Sequence, residues 1–160
     1  MYAHTTDTMP QTASFDAVMG YLHSIPISYE TKKSVYQQLR IEILDSHIQT
    51  MKDRLKQIAA LKKGWDGYDG IAIKKATIDN FATFLDVCSP SDVSDWSLFP
   101  NTNGTLLLEQ KNAAISISSK AFSYYAELPG KYMEAENQTY TLQSILETVR
   151  AINVFLKNDR

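Results

Sequence analysis

A chain of 160 residues, 44% apolar and 21% charged, has the makeup of one globular domain and enough length to bury a core unaided. Its only cysteine, Cys88, excludes an intrachain disulfide. The net charge of −2 is uneven: Ser28–Lys63 holds eight Lys/Arg against four Asp/Glu, a net +4, so the remainder carries −6, an asymmetry too mild to read as a nucleic-acid footprint.

Residues 1–13 read as a disordered tail, and 14–160 as a single α+β domain. The opening lacks a basic stretch followed by an apolar one, and no apolar run reaches the ~20 residues that span a bilayer. The expected setting is therefore cytoplasmic, without a membrane. Ser14 caps a short predicted helix with Phe15, Val18, Met19 and Leu22 on one stripe, ended by Pro26. Ser28 caps the next, with Glu30 in its first turn where the helix dipole favours an acid. Nothing breaks helix from there to Lys63, so 28–63 is one long predicted helix, able to protrude from a small domain. Ile41, Ile48 and Leu55 occupy one heptad position, and Leu44, Met51 and Ile58 the other. Two readings of this stripe stay open: it covers the domain's own sheet, or it is a seam between molecules. His47 flanks the stripe as a solvated side chain.

Gly64 is expected to end the helix with positive φ, and Gly64–Gly70 follows as a glycine-punctuated loop. A further helix is predicted over Ile73–Val87, terminated by Ser89-Pro90-Ser91. The periodicity then changes to two. Trp96–Phe99, Thr105–Gln110, Ala113–Ser118 and Phe122–Leu128 read as a four-stranded antiparallel meander. Asn103-Gly104 is a two-residue hairpin signal, and Lys111-Asn112 and Ser119-Lys120 suit the next two turns. Leu106, Leu108, Ile115, Ile117, Phe122 and Tyr124 share the predicted core face; Thr105, Glu109, Ser116, Ser118 and Ser123 face the other way. A polar stretch after Pro129-Gly130 leads to a last helix over Thr141–Lys157, with Leu142, Ile145, Leu146, Val149, Ile152 and Phe155 on its buried stripe. About four helices around one antiparallel sheet define an α+β fold.

Chemistry is sparse in this pattern. His4, His23 and His47 lie on separate segments without a second ligand at metal spacing, and no nucleophile motif is present. No catalytic residue, cofactor site or metal site is expected. Cys88 sits among apolar residues without a basic neighbour, as a small core filler does. Gly64, Gly67 and Gly70 follow a helix, whereas a phosphate cradle follows a strand. Asp66 and Asp69 lack the ligand spacing of an EF-hand loop. Trp65, Asp66, Tyr68 and Asp69 therefore form a candidate loop site whose plain role is structural: the aspartates accept backbone hydrogen bonds, and the rings pin the loop to the core. Glu109 and Glu127 could work as paired carboxylates if close. Tyr124, Tyr125, Tyr132 and Tyr140 suit an interface or a core edge.

Leu61-Lys62-Lys63-Gly64-Trp65-Asp66-Gly67-Tyr68-Asp69-Gly70 resembles a motif of small, mostly uncharacterised bacterial proteins in which a helix ends in Gly-Trp-Asp-Gly. Phe99–Glu109 is similar to their second block, a strand pair with a Gly-containing turn continuing into Leu-Glu. The resemblance covers residues 58–127 and departs at Ile71-Ala72-Ile73, where those proteins carry a proline. It implies an accessory, antitoxin-like or partner-binding role and brings no catalytic residues.

These features point to a non-enzymatic interaction module, a homodimer or a binder of a neighbouring gene product. Its candidate interface is Ile41, Leu44, Ile48, Met51, Leu55 and Ile58. The alternative is a small-ligand binder or enzyme using the Trp65–Asp69 loop. Nucleic acid is not expected as a partner; binding through Lys52–Lys63 would be steeply salt-dependent.

Overall fold

The computed structural model describes Gly20, His23, Ser24, Pro26 and residues 28–158. Of the helix expected between Ser14 and Pro26, Gly20, His23 and Ser24 are described and are helical, whereas its stripe of Phe15, Val18, Met19 and Leu22 lies outside the described residues. Those described form helices α1 (Tyr29–Ala59), α2 (Lys75–Val87), α3 (Pro90–Val93) and α4 (Leu142–Lys157). The strands are β1 (Ser97–Pro100), β2 (Leu106–Gln110), β3 (Ala113–Ile117), β4 (Ala121–Leu128) and β5 (Lys131–Thr139). The chain divides into two compact units, Met1–Leu44 and Asp45–Arg160, with the boundary inside α1 and not at the Gly64–Gly70 loop.

The α+β class and the antiparallel meander stand, but the sheet has five strands in the order β1-β2-β3-β4-β5, not four. The additional strand, β5, is the stretch that reads as polar in the sequence. Leu128 pairs with Lys131 across a two-residue turn, in which Gly130 takes φ +72° and Pro129 supplies the preceding position. Only Met133 and Ala135 of β5 turn partly inward, so the strand packs on one side and carries little apolar sequence.

Strand register sorts the side chains onto two faces. Leu98, Leu108, Ile115 and Tyr124 form one row across β1–β4, and Leu106, Ile117 and Phe122 form the next. Against this face pack Met51, Leu55 and Ile58 of α1, Phe81, Phe84 and Leu85 of α2, and Ile145, Val149 and Ile152 of α4, all buried. Burying a side chain of this size is worth about 1.5–3 kcal/mol relative to leaving it exposed. The predicted α4 begins as expected: Thr141 Oγ1 accepts from the Ser144 amide, and the Ser144 hydroxyl accepts from the Thr141 amide.

α1 starts at the expected Ser28 cap, whose Oγ accepts from the Thr31 amide at 3.3 Å. It ends at Ala59, four residues before the expected Lys63. Ala60 and Leu61 close short turns onto Gln57 and Ile58, and Leu61 packs partly buried on the core. Good helix formers at 60–63 thus yield to the loop that follows. Lys62 and Lys63 consequently lie outside the helix, and its last turn carries Lys56 instead.

The Asn103-Gly104 connection is longer than a two-residue turn. Asn101 donates to the Thr105 carbonyl at 2.9 Å and Gly104 to the Asn101 carbonyl at 3.0 Å, leaving three residues in the loop. Gly104 alone takes positive φ, +84°; Asn103 instead accepts from the Thr105 amide through Oδ1.

A polar cluster ties several elements of the Asp45–Arg160 unit together. The buried Trp96 donates Nε1–H to Asn153 Oδ1 at 2.9 Å, and Asn153 Nδ2 donates to the Asp92 carbonyl at 2.7 Å. The Asp92 carboxylate receives Arg150 through Nε and Nη2 at 3.1 and 3.0 Å, a two-point contact. His47 is not a free solvated side chain: its Nε2 lies 2.9 and 3.0 Å from the Val93 and Trp96 carbonyls, so it carries the proton and donates. Cys88 is buried, which pushes its thiol up to about 11, with Asp92 adding to the shift.

Candidate interaction surfaces

The six residues of the predicted α1 interface meet two fates. Met51, Leu55 and Ile58 are buried, and Ile48 packs partly buried against the same core. Burial removes the first three from any interface of the folded chain. Leu44 is half-buried and Ile41 is 53% exposed. Ile43, one residue from that pattern, is exposed as well. Among the described residues of Tyr29–Leu44 none is buried, although Val35, Tyr36, Leu39, Ile41, Ile43 and Leu44 are apolar. Val35, Leu39 and Ile43 recur every fourth residue and lie on one side of the helix.

The Gly64–Gly70 loop is closed by its own backbone. Gly64 donates to the Gly70 carbonyl at 2.8 Å, and Ile71 donates to Thr102 at 2.8 Å, which ties the loop to the β1–β2 hairpin. Asp66 Oδ1 accepts from the Tyr68 amide at 3.0 Å and the Gly70 amide at 2.9 Å. These two amides hold the Asp66 carboxyl below its usual range. Trp65 donates Nε1–H to the Ile71 carbonyl at 3.2 Å. A Cβ on Gly70 would stand 2.7 Å from Asp66 Oδ1, so only glycine fits there. Asp66 and Trp65 thus hold the loop's own fold. Tyr68, expected to pin the loop to the core, is instead 87% exposed, and Asp69 is exposed beside it.

The two candidate carboxylates share the open face of the sheet but are not a dyad. Glu109 stands in one row with Ala114 and Tyr125, and Glu127 lies one side-chain step beyond Tyr125 on β4. Two strand spacings and one such step put their backbones roughly 12 Å apart, too far to share a proton.

β5 completes a pattern that the sequence does not display. Tyr125 faces Glu134 and Glu127 faces Tyr132, so two phenols and two carboxylates alternate as a two-by-two checkerboard. Cross-strand neighbours of this kind have Cβ atoms about 5 Å apart. All four side chains are exposed. A hydrogen bond to Glu127 raises the Tyr125 phenol above its ordinary value, followed by desolvation and by the charges of Glu127 and Glu134. None of Glu109, Glu127 and Glu134 takes part in an ion pair among the described residues, whose ion pairs are Lys52–Asp86, Lys56–Asp53, Lys75–Asp79 and Arg150–Asp92. A groove of about 690 Å³ runs beside them, lined by Glu109, Ala114, Tyr125, Glu127 and the β2–β3 and β4–β5 turns. No group of three His, Cys, Asp or Glu among the described residues could hold a metal ion, and no described helix is long and apolar enough to cross a membrane.

No family model, curated protein or solved structure matches the chain.

Proposed function

We propose that this chain is a non-enzymatic protein-interaction module of the bacterial cytoplasm that self-associates through the N-terminal half of α1. The observation that carries the reading is the run Tyr29–Leu44, in which Tyr29, Ile41 and Ile43 are exposed and no apolar side chain is fully buried. A 31-residue helix is about 46 Å long, and one that leaves some of its apolar side chains exposed gains stability by packing them against another molecule. An accessory, antitoxin-like setting is what the Gly-Trp-Asp-Gly resemblance adds. Against the ligand-binding or enzymatic alternative stands the structural role of Asp66, whose Oδ1 is held by the Tyr68 and Gly70 amides.

Light scattering after gel filtration tests the proposal. The wild type is expected to run as a dimer at micromolar concentration, and Ile41→Asp/Ile43→Asp as a monomer with an unchanged melting temperature. A wild type that stays monomeric at several hundred micromolar would overturn self-association.

A further inference from the structure

We propose that the open face of the sheet docks a basic, extended segment of a partner protein, seating one arginine on the Tyr125–Glu127–Tyr132–Glu134 checkerboard and a second basic residue at Glu109. The inference rests on the interaction-module reading but uses a surface other than α1.

Charge complementarity selects the occupant. Three carboxylates on this face have no ion-pair partner among the described residues, and Lys111 at the groove's rim pairs with none of them. Each tyrosine of the checkerboard has a glutamate both across the ladder and along its own strand. A planar guanidinium suits that alternation, because it stacks on a phenol ring while its edge donates to the carboxylate beside it. An ammonium makes the charge contact without the stacking. A nucleic-acid backbone would be repelled.

The spacing of the second contact comes from the register. Glu109 lies two strands from Tyr125 in the same row, about 9.5 Å away, with only Ala114 between them. Its short side chain leaves the floor clear. A peptide crossing the strands as an extended polyproline II helix advances about 3.1 Å per residue and returns to the same face every third residue, so its basic residues fall three positions apart, as Arg-x-x-Arg. Ser116 and Ser123, paired one row further on, also keep the surface low.

The test is an NMR titration of the ¹⁵N-labelled full chain with acetyl-Gly-Arg-Gly-Ser-Arg-Gly-amide, at 50 and 300 mM salt. Amide shifts are expected to concentrate at Glu109, Tyr125–Glu127 and Tyr132–Glu134. Tyr125→Leu and Tyr132→Leu should each weaken binding about two- to fivefold with an unchanged melting temperature. The double variant Glu127→Gln/Glu134→Gln should remove most of the salt dependence. A peptide with adjacent arginines, or with lysine at both positions, should bind more weakly. Absence of shifts on this face at millimolar peptide would overturn the proposal. So would binding indifferent to both leucine variants and to the lysine exchange, which would mark diffuse attraction only. Shifts at the same residues on raising the protein's own concentration, without peptide, would assign the face to a second copy and overturn it too. A monomeric wild type that still binds the peptide would remove α1 self-association and leave the sheet-face assignment standing.

Discussion

One helix carries one heptad pattern, and its two ends do opposite things. Toward the C-terminus, Met51, Leu55 and Ile58 lie against the sheet and are no more than 4% exposed. Toward the N-terminus, Ile41 occupies the same heptad position as Leu55 and is more than half exposed. Sequence periodicity states that a helix has an apolar side; it does not state what meets that side. The core reading of the stripe therefore holds for Met51, Leu55 and Ile58, and the proposed seam is left with the exposed end beyond Ile48.

Leu55→Ala is the strongest way to break this comparison. It should cost about 2–5 kcal/mol in denaturant unfolding, because it leaves a cavity between helix and sheet; a loss within 0.5 kcal/mol would mean the buried end is not core. Gly70→Ala comes next. Its methyl group must displace the Asp66 carboxylate that organises the loop after α1, at about 1–3 kcal/mol by the same measurement.

Asp66 sharpens the same point through pH. Its folded pKa is depressed by the Tyr68 and Gly70 amides, so its contribution is present above the unfolded value of about 3.9 and is lost as pH falls through the folded one. The melting temperature of the wild type should drop below about pH 4 more steeply than that of Asp66→Asn. Parallel curves would detach the carboxylate from the loop's stability. The smallest effect on stability belongs to Ile41→Asp, within about 0.5 kcal/mol of wild type, as for a surface position, although it should shift the oligomeric state.

The sequence makes legible the elements whose apolar residues keep a clean period. The core-face residues of β2 and β3 and the stripe of α4 fall where alternation and helical spacing place them. β5 is not legible, because an edge strand with only Met133 and Ala135 turned inward has almost no apolar alternation, and Pro129-Gly130 reads as a break instead of a turn. The end of α1 is obscured for another reason: Ala60, Lys62 and Lys63 favour helix, and only the tertiary bonds of the loop override them. His47, Asp92, Trp96, Arg150 and Asn153 are scattered over more than a hundred positions, so nothing local announces their cluster. In the candidate loop, Asp66 has the backbone role its neighbours suggest, whereas Tyr68 faces solvent. The Tyr–Glu checkerboard arises only from the pairing of β4 with β5, so nothing local in the sequence announces it either.

β5 also departs from regular pairing at one place. Between Phe122↔Gln138 and Tyr124↔Ala135, two residues, Glu136 and Asn137, stand opposite Ser123 alone. Asn137 takes φ +52°, and its amide is held by Ser123 Oγ at 3.0 Å. Such a bulge bends the outermost strand and interrupts its row of outward amides and carbonyls. A stray strand from another molecule can therefore zip along this border for only a few residues before the two ladders fall out of step. The kink acts as a guard against runaway stacking into fibrils at this edge of the sheet.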